Sequence, residues 1–173
     1  IVHVSGESEP ATMGNAVHAL LARHCDPGVS TLFTVDQMAE RWGVDPHELE
    51  FLFSRGCALW DEVKHFFPTP RVEQYMEFTD GPVHIEGTAD VGDQDGDEIR
   101  VLDWKSGRKQ VGHINQVKGY AWLQYKLSPI KTRAFAVTVA WLRFGTWETH
   151  RFTADELEAW YDEWCRRVAN NGE

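Results

Sequence analysis

Gly87-Thr88-Ala89-Asp90 and Val101-Leu102-Asp103-Trp104-Lys105 are two short segments separated by Gly92-Asp93-Gln94-Asp95-Gly96-Asp97, a stretch rich in turn formers. Asp-Gly between two apolar runs signals a hairpin loop. A hairpin lays the flanking segments side by side, so Asp90 and Asp103, thirteen residues apart, could face one ion. Strand side chains alternate with period two, which places Asp103 and Lys105 on one face. A carboxylate that follows the apolar pair Val101-Leu102 needs a partner, and either Lys105 or a cation would serve. Two oxygen ligands for a hard cation, with an ammonium beside them, outline a hydrolytic site. The Asp93–Asp97 loop has calcium-loop composition, but its spacing fails the EF-hand pattern, so it reads as a hairpin tip.

Outward from this hairpin the chain reads as helices, then strands, then helix, strand, helix. A first helix is expected over residues 12–24. Thr34 caps a short one ending at Gly43. Asp45-Pro46 starts another that runs to about Phe66, with Asp as N-cap and Pro at N1. Strands follow at Val72–Thr79, Val83–Val91 and Ile99–Trp104, with a turn at Asp80-Gly81-Pro82. A helix over 113–127 precedes a long strand, Thr132–Phe144, and a short one, Trp147–Phe152. Thr153 and Glu156 form a capping box for a last helix, on which Leu157, Tyr161, Trp164 and Val168 make one stripe. Residues 34–59 have the outline of a helix-turn-helix. Their acidity argues for a helical insert packed on the core, because a groove-reading helix brings Lys or Arg to phosphates.

The 173 residues suffice for one domain with a substantial core, and no linker, repeat or low-complexity segment divides them. No apolar run approaches a membrane span and no signal-peptide pattern opens the chain. Cys25, Cys57 and Cys165 are widely spaced, which favours free thiols in a reducing, cytoplasmic compartment. The formal net charge is −10. That weighs against tight non-specific duplex binding, for which a basic footprint is usual. Local cations near the hairpin, Arg108, Lys109 and Lys118 with Lys105, would have to meet phosphates.

Several of these pieces resemble, in order, the PD-(D/E)XK nuclease superfamily and its RecB-like exonuclease branch. Gly14-Asn15-Ala16-Val17-His18 is similar to the branch's early helix with a metal-binding histidine. Gly87–Asp90 is similar to its G-x-x-D strand, and Asp103-Trp104-Lys105-Ser106-Gly107 to its D-x-K element with the small residues that follow. Gln116-Val117-Lys118-Gly119-Tyr120 is similar to its Q-x-x-x-Y helix. The likeness runs from about residue 14 to 125. The proline of the superfamily's name is absent, Ala89 preceding the aspartate, as is common in the branch. The chain opens on Ile1 rather than Met, which suggests a fragment or a processed form, and the segment that often precedes the histidine helix is largely missing. Relatives with an iron–sulfur cluster use four cysteines, so with three none is expected here.

The resemblance implies a mixed α/β, restriction-endonuclease-like core, with a central mixed sheet flanked by helices and an N-terminal helical part. One domain over residues 1–173 is expected, its helical part at about 12–67 and its nuclease core at about 71–173. It also implies a metal-dependent DNA nuclease, most readily an exonuclease acting on ends or single strands. Asp90, Asp103, His18 and the Trp104 backbone carbonyl would hold Mg²⁺ or Mn²⁺, the histidine tilting the site toward Mn²⁺. Lys105 would act with Asp90 and Asp103 as the catalytic set. Gln116 and Tyr120, i and i+4 on one helix face, would contact DNA, together with Arg108, Lys109 and Lys118. Glu73 and Glu86 are candidates for support behind the ligands, with a solvated strand end an equal reading of Glu73. No Walker-type phosphate loop is present, so unwinding would need a helicase or recombination partner. A catalytically silent nucleic-acid-binding domain and a dimeric endonuclease are the alternatives. A phage or bacterial source is open.

Overall fold

The computed structural model describes residues 2–3, 11–26, 33–108 and 113–171. Helix α1 spans Ala11–Cys25, α2 Val35–Trp42 and α3 Pro46–Val63, the last running on into a 3-10 turn at Lys64–Phe66. Their ends follow local chemistry. Thr34 and Gln37 make a reciprocal capping box on α2, which Gly43 closes in the left-handed conformation at φ 65°. Asp45 accepts the His47 N–H at the start of α3, with Pro46 in its first turn. Met38, Ala39, Leu49, Leu52, Leu59, Trp60 and Val63 turn inward against α1. The 34–59 segment is therefore a packed part of the core, as its acidity suggested.

Six strands form one sheet: β1 Val2–His3, β2 Arg71–Asp80, β3 Val83–Asp95, β4 Glu98–Lys105, β5 Ala134–Trp141 and β6 Thr146–Thr153. The order is β1-β3-β4-β5-β6, with β2 also paired to β3. The β2–β3, β3–β4 and β5–β6 pairs are antiparallel, whereas β4–β5 is parallel. A parallel neighbour needs a crossover, and helix α4, His113–Leu127, lies in it. Helix α5, Ala154–Asn170, ends the described chain and starts at the expected Thr153–Glu156 capping box. Helices α1–α3 pack on one side of the sheet through Val91, Leu102 and Trp104. On the other side Val117, Tyr120, Ala121, Leu123, Leu157 and Tyr161 pack on Ile99, Val101, Phe135 and Val137. The mixed sheet flanked by helices is the restriction-endonuclease-like architecture expected.

Two strand boundaries differ from the sequence reading. The hairpin is longer: β3 continues through Gly92–Asp95 and turns only at Gly96-Asp97, where Gly96 has φ 60°. The acidic residues remain in the ladder because they are paired. Asp93 accepts the Thr69 and Gln94 N–H groups, and Arg100 meets Glu98 and Asp95. The strand expected over Thr132–Phe144 is shorter. The Thr132 hydroxyl donates to the Ile130 carbonyl in the loop and accepts from the Gln94 amide of β3. At the other end Leu142–Phe144 curls into a 3-10 turn closed by Gly145 at φ 63°. Periodicity could not show that curl, since Leu and Phe suit either state.

Candidate active site

The ladder between β3 and β4 runs from Asp95↔Glu98 to Val91↔Leu102. One step further lie Asp90 and Asp103, at the fork where the two strands part and β3 takes β1 as its neighbour instead. On the other flank β2 pairs Val72↔Val91 and Gln74↔Ala89, so Glu73 stands opposite Asp90. Glu73, Asp90 and Asp103 therefore form a row across three strands. Glu73 has φ 53°, the positive-φ non-glycine residue among the described residues, so the backbone bends at this row. The fork is where the two helical layers meet: α1 brings His18 to it and α4 brings Gln116 and Tyr120. Together they line a cleft of about 840 Å³, whose other walls include Gly14, Asn15, Arg23, Trp42, Thr88 and Lys105.

The side chains form a series of contacts. His18 Nδ1 lies 3.1 Å from Asp90 Oδ1. The Trp104 N–H donates to Asp90 Oδ2 at 2.7 Å. The Asp90 and Asp103 carboxyls lie close enough to perturb each other's ionisation. Lys105 Nζ is 3.1 Å from Asp103 Oδ2 and donates to Gln116 Oε1 at 2.9 Å. Gln116 Nε2 donates to Tyr120 Oη at 2.8 Å. Asp90, Asp103 and Lys105 are all buried.

Charge is crowded here. Burial, and then the neighbouring Asp90 carboxylate, push the Asp103 carboxyl up to about 7 against the pull of Lys105. Burial also opposes ionisation of Asp90, but His18 and the hydrogen bonds from His18 and the Trp104 N–H hold it below its ordinary value. Loss of hydration in the cleft, and then Asp90, raise Glu73 although much of that residue is open to solvent. Burial, with Asp103 and Asp90 next, raises the Tyr120 phenol. Two buried carboxyls, one held ionised and the other pushed up by its neighbour, form a donor set short of positive charge. Asp90, Asp103 and His18, two oxygen donors and an imidazole, are of the ligand types a divalent ion takes, although their ligand atoms do not all lie within 4.8 Å of one another.

The structure brings His18, Asp90, Asp103, Lys105, Gln116, Tyr120 and Glu73 to one cleft. Trp104 lies beside them, its ring in the core and its N–H on Asp90. Other expected residues lie elsewhere. Lys118 is on the far side of α4 from Gln116, its ammonium 5.6 Å from the Phe152 ring centroid. Arg108 is exposed three residues after β4 and is not among the residues that line the cleft. Lys109 lies outside the described residues. Glu86 is four residues along β3 from Asp90, bonded to Tyr75 and His84. The sequence reading quoted Asn15 and Thr88 within their motifs but gave them no role, and it gave none to Arg23 or Trp42. Helical spacing held a signal for part of the α1 wall: Gly14, His18 and Ala22 recur at i+4, with Asn15, Ala19 and Arg23 beside them. Arg23 also keeps a buried Nη1 without a hydrogen-bond partner, and its guanidinium carbon lies 4.5 Å from the Phe33 ring centroid.

The family model of the PD-(D/E)XK nuclease superfamily matches residues 3–173. The crystal structure of a "Putative exonuclease" from Eubacterium rectale is similar in fold, with a TM-score of 0.53 at 12% identity over 97% of this chain and 71% of that one. The crystal structure of a protein designated SSO0001 aligns with a TM-score of 0.38 at 13% identity, over 81% of this chain and 76% of that one. No curated protein matches significantly.

Proposed function

The chain belongs to the PD-(D/E)XK nuclease superfamily, and from that premise we propose that it is a metal-dependent deoxyribonuclease, an exonuclease acting on DNA ends or single strands. The observation that carries the reading is the convergence of His18, Asp90, Asp103, Lys105 and Gln116 on one cleft, joined by the His18–Asp90, Asp103–Lys105 and Lys105–Gln116 contacts. Asp90, Asp103 and His18, with the Trp104 carbonyl, would hold Mg²⁺ or Mn²⁺. A bound divalent ion supplies a water of lowered pKa and a Lewis acid for the scissile phosphate.

The remaining chemistry belongs to the side chains. Lys105 places a fixed ammonium beside the carboxylates, where it offsets charge that builds on the phosphate oxygens. Gln116 holds that ammonium from the far side, and Tyr120 fixes which way the Gln116 amide points. The Trp104 N–H keeps Asp90 turned toward its neighbour. Arg23 offers a guanidinium to a phosphate entering along α1, with Trp42 in the same wall for a base.

Cleavage of end-labelled single- and double-stranded oligonucleotides and of a closed circle, with Mg²⁺, Mn²⁺ or EDTA, tests this. Metal-dependent loss of linear DNA with the circle intact is expected. Cutting of the circle would establish an endonuclease. Binding without cleavage in either metal would establish a silent nucleic-acid-binding domain.

A further inference from the structure

Apart from the cleft, β2 and β3 carry a second group of ligand-type side chains. Glu77 pairs with Glu86 and Thr79 with His84 in the antiparallel ladder. One ligand atom from each of Glu77, His84 and Glu86 lies within 4.8 Å of the other two. His84 Nε2 is 3.3 Å from Glu86 Oε2 and 3.8 Å from Glu77 Oε2. His84 Nδ1 is 2.8 Å from Thr79 Oγ1. With Nδ1–H donating to that hydroxyl, the Nε2 lone pair faces two carboxylates. Tyr75 Oη donates to Glu86 at 2.7 Å and lies 3.2 Å from Glu77, holding both acids from the side.

The distances suit two arrangements, a direct ion pair and ligands spaced around a shared ion. At 3.3 Å His84 Nε2 and Glu86 Oε2 are within hydrogen-bond reach, longer than the about 2.7–2.9 Å of a strong imidazolium–carboxylate bond. Ligands at about 2.0–2.2 Å from a tetrahedral Zn²⁺ are roughly 3.3–3.5 Å from each other, which brackets the shorter separation and approaches the longer. With Nδ1–H as donor, the Thr79 contact would serve as the outer hydrogen bond that orients a metal-binding histidine.

We propose that Glu77, His84 and Glu86 form a binding site for a divalent transition-metal ion, of which Zn²⁺ is the type, separate from the catalytic cleft. Three protein ligands leave further positions to solvent, on the side where Glu77 is exposed. The site clips β2 to β3 and neutralises two carboxylates. His84, Glu86 and the cleft-lining Thr88 alternate along one side of β3. The ion would thus sit on the side of the strand that opens on the cleft, roughly 13 Å from Asp90. The proposal does not depend on the nuclease reading.

The test is Zn²⁺ stoichiometry by equilibrium dialysis in an Asp90→Asn/Asp103→Asn background, which removes the cleft's charged ligands. One equivalent should remain bound. His84→Gln in that background should weaken it at least ten-fold, with the metal-free melting temperature checked to confirm folding. Thr79→Val removes only the orienting hydroxyl and should weaken Zn²⁺ about ten-fold. Co²⁺ should show the visible absorption of a four- or five-coordinate ion, lost in His84→Gln. A background protein that binds no Zn²⁺, or that binds it equally well with His84→Gln, would overturn the proposal.

Discussion

The amide of Gln116 joins two side chains, accepting from Lys105 and donating to Tyr120. If it acts through Lys105, Gln116→Leu should lower kcat by about 10²-fold, the cost of a misplaced catalytic group, and leave KM for DNA nearly unchanged. Tyr120→Phe should cost less than ten-fold. A raised KM at constant kcat for Gln116→Leu would mean that the amide touches the DNA strand itself. Lys105→Ala and Lys105→Arg should both abolish cleavage while calorimetry still detects metal binding, because a planar fork does not replace a point charge. Asp103 gives a pH signature. Its carboxyl lies near 7 in the fold against an ordinary 3.8, so between those values the folded protein holds more protons than the unfolded chain. Its contribution to the stability of the metal-free protein therefore falls as pH rises through that window. Asp103→Asn should flatten the melting-temperature profile between about pH 4 and 7 and remove most of the metal-induced rise in melting temperature. An unchanged slope would mean that the carboxyl ionises normally. Asp90, Asp103 and Lys105 were legible because strand period and hairpin register alone bring them together. The link from Lys105 to Gln116 was not, since it spans a crossover and no local pattern encodes it.

Helix α4 lies close to the sheet because Gly92 has no side chain. A Cβ there would come within 2.5 Å of Gln124 Nε2. The Gln124 amide is buried, and neither its oxygen nor its nitrogen has a hydrogen-bond partner. An unmet buried polar group costs about 1–3 kcal/mol. Gln124→Met keeps the length and removes the unmet groups, so it should stabilise the protein by roughly 1 kcal/mol, read by chemical denaturation. Destabilisation would show that a bound water satisfies the amide. The helix starts were readable from Thr34, Asp45 and Thr153 because caps act within one turn. The strand ends at Asp95 and Trp141 were less so. The first is set by long-range partners such as Thr69, and the second by how the chain curls after its last ladder pair.

Over the whole molecule the charge is −10, and no helix among the described residues is long and apolar enough to cross a membrane. DNA affinity should therefore be weak in EDTA, rise with Mn²⁺, and fall with salt along a shallow slope, because few counterions are released. Arg23→Gln should weaken binding by filter assay, whereas Lys118→Gln should not, since the Lys118 ammonium lies over Phe152 away from the cleft. The reverse result would move the nucleic-acid path to the other side of α4. The row of Glu73, Asp90 and Asp103 also bears on how the molecule assembles. Its three strands are consecutive and joined by turns at Gly81-Pro82 and Gly96-Asp97, so the row closes through contacts short in sequence. Lys105's clamp waits for the α4 crossover, and His18 must return from the far end of the chain. Loop-closure entropy favours the meander first, and on the ribosome it emerges before α4. A nascent chain would thus present a bare acidic row before its own lysine is secured. Dissolved divalent cations would be the first to neutralise it, and refolding should run faster in Mg²⁺ or Mn²⁺ than in EDTA.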